Sequence, residues 1–190
     1  MKSGTARIAL VLLVACGFSA AQPRPIDVSR SAIVIHVFKA GLFSAAGHEH
    51  WVDAPISSGT IDESAQTGEF TVETARMTVR PDPKVDAKTQ AQIQKDMDEL
   101  TLNTREYPQI TFRSRSVESS ADGWRITGEL TLHGVTKAIR LDASKQGDAY
   151  VARTTLKQTD YRIKPISVAG GTVKVKDEIE LEFHIVPRSS

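Results

Sequence analysis

Two histidines flanking a glutamate, His48-Glu49-His50, are the residues of this chain whose spacing could do chemistry. On an extended strand, residues two apart point to the same side, so the pair could offer two imidazoles to one metal ion or to a haem iron. His36, His133 or Glu49 could add a third ligand if the fold brings one of them close. The plainer reading is of polar residues at a strand or loop end, with His48 bonded to a backbone carbonyl. Other reactive residue types are scattered. His133 precedes Gly134 in a turn and His184 faces outward by parity on the last strand. Neither has a serine and a carboxylate in a triad pattern nearby. Asp53, Asp62 and Asp160 read as turn or cap residues, and Lys164-Pro165 as a strand edge or barrel rim. No nucleophile–base pair stands out, which points to a binding protein and away from an enzyme.

The ends narrow the choice further. Lys2 and Arg7 form a basic segment and Ile8 to Ala15 an apolar run, too short for the roughly 20 residues a bilayer span needs. Ser19-Ala20-Ala21 follows with small residues suited to a signal peptidase, so residues 1–21 read as a signal peptide and 22–190 as one domain. Leu13-Val14-Ala15-Cys16 also has the form of a lipobox, in which Cys16 would be acylated and anchor the protein. Either route exports the chain to the periplasm or beyond, with membrane contact only transient or through that anchor. Cys16 is the only cysteine, which leaves the remainder without a disulfide framework or thiolate metal site. The full chain carries 24 basic against 23 acidic residues and no basic cluster, so no nucleic-acid partner is expected.

The elements that must position these residues are strands. From Ile26 onward the apolar residues alternate with period two, the mark of a sheet with one buried face. The last run is clearest: Val173, Val175, Ile179, Leu181, Phe183 and Ile185 share one parity against Lys, Glu and His on the other. Ile110 to Ser116 and Trp124 to Leu132 repeat the pattern, and Asp122-Gly123, His133-Gly134 and Gln146-Gly147-Asp148 supply turns between runs. Between Phe70-Val72 and Met77-Val79 the apolar parity changes, which predicts a bulge or break near Thr74-Ala75. One segment differs: Asp86 to Leu102 is rich in helix formers, with Ile93, Met97 and Leu100 on one stripe. The expectation is an all-β, extended eight-stranded antiparallel barrel with one inserted helix at about residues 86–102.

An eight-stranded barrel is just wide enough to be filled by side chains or to hold one slender ligand. Phe112, Trp124, Ile126, Leu130, Leu141, Leu156, Leu181 and Phe183 fall at lumen-facing positions by parity. Small residues share that face at Ser114, Ser116, Gly128, Ala143, Ala152 and Thr154, and aromatic content is only 6%. Such a lumen favours an apolar void, with the eight large residues as candidate ligand contacts.

Two stretches resemble a known family. Tyr107-Pro108-Gln109-Ile110-Thr111-Phe112-Arg113-Ser114 looks like the signature of the YceI-like bacterial polyisoprenoid-binding proteins, and Gly128 to Lys137 resembles its second signature. The likeness runs from about Ile26 to Ile185. It implies a lipocalin-like barrel whose lumen holds a long isoprenoid chain, such as a polyprenyl phosphate or a quinone tail, in transport, storage or stress protection rather than catalysis; that lipid is the one bound group expected. The acidic stretch Asp96 to Leu102 departs from the aromatic and basic residues many members carry before the Tyr-Pro motif. The alternative from the residues alone is a metal- or haem-linked redox accessory protein using His48 and His50.

Overall fold

A computed structural model describes residues 22–40, 49–168 and 173–189. The expected segment 1–21, Cys16 and His48 lie outside the described residues. Alternation organises the chain as predicted. The first long strand comprises β1 (Arg24–Pro25) and β2 (Ala32–Ala40), and the second β3 (His50–Ala54) and β4 (Ile56–Asp62), interrupted only by Pro55. The third is β5 (Thr67–Glu73) with β6 (Thr78–Val79). Then follow β7 (Gln109–Ser120), β8 (Gly123–Leu132), β9 (Val135–Gln146) and β10 (Ala149–Lys157). The short β11 (Ser167–Val168) precedes β12 (Val173–Ile185). The described residues thus form twelve strands where eight are expected, chiefly because expected strands are divided. The divisions have local causes. Proline cannot donate to a ladder, and at Pro55 the strand changes partners from β2 to β5. The parity change after Val72 is a single 3-10 turn, Thr74–Arg76.

All pairings are antiparallel, in the order β1-β4-β5-β7-β8-β9-β10-β12-β2-β3-β6. The sheet curls until Asp27 N–H reaches the Val186 carbonyl at 2.7 Å and Arg188 N–H reaches that of Pro25 at 2.8 Å. These bonds join the two sides of the barrel at one end. At the other end β6 is a free edge, and the helix α1 (Ala87–Asp96) covers it. Gln94 makes that cover specific: its Oε1 accepts from Val79 N–H at 2.8 Å and its Nε2 donates to the Met77 carbonyl at 3.1 Å. A side-chain amide here replaces the missing neighbouring strand. Asp86 caps the helix by accepting from Thr89 N–H at 3.0 Å.

Two expectations need correction. The helix does not present Leu100 to the core. It ends in a π-turn over Met97–Thr101, closed by Leu102 N–H on the Met97 carbonyl at 2.8 Å. The extra residue in that turn rotates the stripe, so Met97 and Leu102 are buried and Leu100 is 68% exposed. Ser116 was expected in the lumen and is exposed. A bulge between Ser114 and Ser116 shifts the register against β8, and beyond it Val117 takes the inward position opposite Ile126.

The two signature stretches meet in space. His133 and Gly134 form a two-residue hairpin loop with φ of 50° and 71°, the primed turn that suits strand twist. A Cβ on Gly134 would lie 2.7 Å from the Tyr107 ring, whose centroid is 4.2 Å from that of His133. His133 Nδ1 is 3.2 Å from the Tyr161 carbonyl. The motif residues thus lock the β8–β9 turn onto the segment entering β7.

Candidate lipid-binding lumen

The inward residues of the strands enclose two cavities placed end to end. The first, about 140 Å3, is walled by Ile33, Ile35 and Val37 of β2, by Val52 of β3, and by Leu130, Leu156 and Leu181; Ile93, Met97 and Leu102 roof it from the helical segment. Among the described residues, only His50, Thr101 and Gln158 bring polar groups to this helix-side chamber. The second, about 360 Å3, is lined by Ile26, Phe112, Trp124, Ile126, Leu141 and Ala152 among others. Phe70 and Phe183 line both.

The larger chamber has a polar rim. Glu63 accepts from Arg24 Nη2 at 2.5 Å and from the Tyr150 hydroxyl, and Lys145 Nζ lies 3.9 Å away. The Tyr150 hydrogen bond, then the Arg24 and Lys145 charges, hold the Glu63 carboxyl below its usual range against some desolvation. Burial and the bond to Glu63 push the Tyr150 hydroxyl up to about 12. Trp124 stands edge-on to Tyr150 at 5.6 Å, at the inner side of this rim.

All eight residues expected to face the lumen line these cavities. Leu130, Leu156 and Leu181 are in the helix-side chamber, Phe112, Trp124, Ile126 and Leu141 in the rim-side chamber, and Phe183 is between. Phe70, Ile33, Ile35 and Val52 were not singled out, although Ile33, Ile35 and Val37 alternate as clearly as the later strands. Phe70 was read only for its parity.

His48 lies outside the described residues; the described members of the histidine constellation, His36, His50 and His133, do not converge on one point. His50 shares the inward parity of Val52 and Ala54 and lines the helix-side chamber. The proposed third ligands sit elsewhere: His36 Nε2 is 3.1 Å from Glu49 Oε2, and the His36 ring stacks on Trp51 at 4.0 Å. Both belong to the opposite face of the sheet, because His36 pairs with Trp51 across β2 and β3. His133 is held at the β8–β9 turn. Among the described residues no group of three or more His, Cys, Asp or Glu side chains could hold a metal ion. Asp53 is also not a turn residue: it sits on β3 in a two-pronged ion pair with Arg80, at 2.6 to 3.0 Å. Asp62 does close a turn, accepting from Ser64 and Ala65 backbone N–H groups at 2.9 and 2.8 Å.

Known proteins are similar to this chain in sequence or in fold. Protein YceI of Escherichia coli is 44% identical over 73 residues, a match covering 33% of this chain and 38% of the relative's length. Among solved structures, BcnA of Burkholderia cenocepacia superposes with a TM-score of 0.58 at 17% identity, covering 86% of this chain and 99% of that one. A polyisoprenoid binding domain from Saccharophagus degradans, implicated in plant cell wall breakdown, gives 0.59 at 13% identity over 89% of this chain and all of that one. At such identities these two establish the shared fold, a lipocalin-like barrel. A profile of the YceI-like domain spans residues 25–186, from the first strand through the residues that join the barrel's two sides, and the chain belongs to that family.

Proposed function

We propose that this protein is a periplasmic carrier or store for an isoprenoid-type lipid, a polyprenyl chain or the tail of a quinone, held in the lumen without catalysis. The observation that carries this is the lumen: a helix-side chamber walled almost wholly by Ile, Val, Leu, Met and Phe side chains, adjoining a larger chamber whose inner wall is apolar and whose rim is polar. An apolar chamber such as the helix-side one accepts apolar guests. Each five-carbon unit taken from water contributes roughly 3–4 kcal/mol gross at about 0.8 kcal/mol per buried methylene-sized group. Ordering costs reduce this to about 0.3 kcal/mol per heavy atom in drug-sized ligands, still enough for several units to bind without a hydrogen bond. The polar end of the lipid then rests at the Glu63–Tyr150 rim, where donors and an acceptor are both present. The polyisoprenoid binding named for the Saccharophagus protein supports the ligand class. The basic, apolar and small-residue succession in residues 1–21 supports export.

The chain's two tryptophans allow a direct test. Trp51 is 37% exposed on the outer face, whereas Trp124 lines the lumen. In a Trp51→Phe variant stripped of lipid, titration with a prenyl alcohol should shift Trp124 emission to the blue and saturate at one equivalent. An emission spectrum indifferent to the prenyl alcohol would refute the proposal.

A further inference from the structure

The two chambers are separated by aromatic rings that come from opposite walls. Phe70 on β5 and Phe112 on β7 are register partners, stacked with centroids 5.3 Å apart. Phe183 comes from β12, four strands beyond β7 in the sheet, yet its centroid is 6.0 Å from that of Phe70. The Phe70–Phe183 contact therefore crosses the lumen. Glycines lie beside two of these residues. A Cβ on Gly128 would lie 2.4 Å from Phe112 Cζ, and one on Gly59 would lie 3.0 Å from Phe70 Cβ. The rings are 6–8% exposed, shielded from solvent although each borders a chamber.

On the reading that the lumen holds an isoprenoid chain, we propose that Phe70, Phe112 and Phe183 form a septum that sets the length of chain the protein accepts. The volumes give the length. A cavity of about 150 Å3 takes one benzene, six carbons, so the 360 Å3 chamber has room for about fourteen carbons, or about three isoprene units. The 140 Å3 chamber holds about one unit more. A chain of about three units fits wholly on the rim side with the rings in place, its polar end beside Glu63 and Tyr150. A longer chain must turn a ring aside to reach the helix-side chamber, and the ring it moves has no free volume to enter beside Gly128. The septum thus discriminates by length, a property that uniform apolar walls cannot supply.

The test is a competition. The lipid-free protein is offered farnesol and the much longer solanesol together in phosphatidylcholine vesicles, and the bound prenols are extracted and quantified by mass spectrometry. The wild type should retain farnesol preferentially. Phe112→Ala and Phe183→Leu should raise the bound ratio of solanesol to farnesol by about tenfold or more. Circular dichroism checks that each variant folds, and Phe112→Leu reads the same ratio if Phe112→Ala does not fold. A wild type that takes solanesol as readily as farnesol, or folded variants with the wild-type ratio, would overturn the septum while leaving the carrier reading intact. Binding of neither prenol to the wild type would instead overturn the carrier reading, and the septum proposal with it.

Discussion

Gly128→Ala is a small substitution whose cost follows from the close contacts around this glycine. The added Cβ would lie 2.4 and 2.5 Å from Phe112 Cζ and Cε2, and 2.7 Å from the Arg113 carbonyl oxygen, where ordinary contact begins at 3.4 Å. The ring must retreat by about 1 Å toward Phe70, which already stacks on it, and the backbone beside the β7 bulge must give as well. Overpacking of this kind costs about 1–3 kcal/mol. Replacing a glycine restricts the unfolded chain and returns about 0.4–1 kcal/mol. The net prediction is a loss of about 1–2 kcal/mol, which for a domain of this size lowers Tm by about 2–8 °C. Thermal unfolding followed by circular dichroism measures it. Phe112→Leu in the same background removes the ring that is struck, so the double mutant should fall short of additivity by about 1 kcal/mol. An unchanged Tm in Gly128→Ala, or strictly additive penalties, would show that the ring is not pinned against this glycine and would refute the reasoning.

Other perturbations act on different parts of the fold. Phe112→Asp or Leu181→Asp places a carboxylate on the lumen wall, at a cost of several kcal/mol in desolvation, and should abolish lipid retention while Glu182→Gln on the outer face does not. Equal lipid recovery from mutant and wild type would count against that. Gln94→Ala strips the β6 edge of its amide partner and should cost about 1–3 kcal/mol, with faster hydrogen exchange at the Val79 amide as the local sign. The Tyr161 hydroxyl is buried without a hydrogen-bond partner, and burial, then the charge of Asp160, push it up to about 12. Unfolded tyrosines ionise near 10, so the protein should hold its stability below pH 10 and lose it progressively toward pH 12, more steeply than a Tyr161→Phe variant. That variant should also gain about 1 kcal/mol at neutral pH, read from urea denaturation, and a loss would show that the hydroxyl has a partner after all.

Period-two alternation carried much of the fold, because a buried face two residues apart is a local property that each strand displays by itself. It placed Phe112, Trp124, Ile126, Leu130, Leu141, Leu156, Leu181 and Phe183 on cavity walls. The resemblance of Tyr107–Ser114 and Gly128–Lys137 to a known signature supplied the family. Alternation failed at Ser116, where one extra residue in the β7 bulge inverts the faces with no change in composition to announce it. Helical periodicity failed at Leu100 for the analogous reason, since a π-turn inserts one residue into the 3.6-residue repeat. Pairing across the barrel was out of reach. That Phe70 meets Phe183 depends on the curl of the sheet between distant strands, and that His36 and His50 face opposite ways depends on the β2–β3 register. The division of the lumen, which no single strand encodes, was therefore invisible in the sequence.

The central claim is that the lumen is a lipid site. Its most direct test is mass spectrometry of the organic extract of protein purified from its native host without detergent. The extract should contain an isoprenoid-type lipid at near one equivalent, depleted in Leu181→Asp. An extract without lipid, from protein whose lumen is shown to be closed by its own side chains, would contradict it.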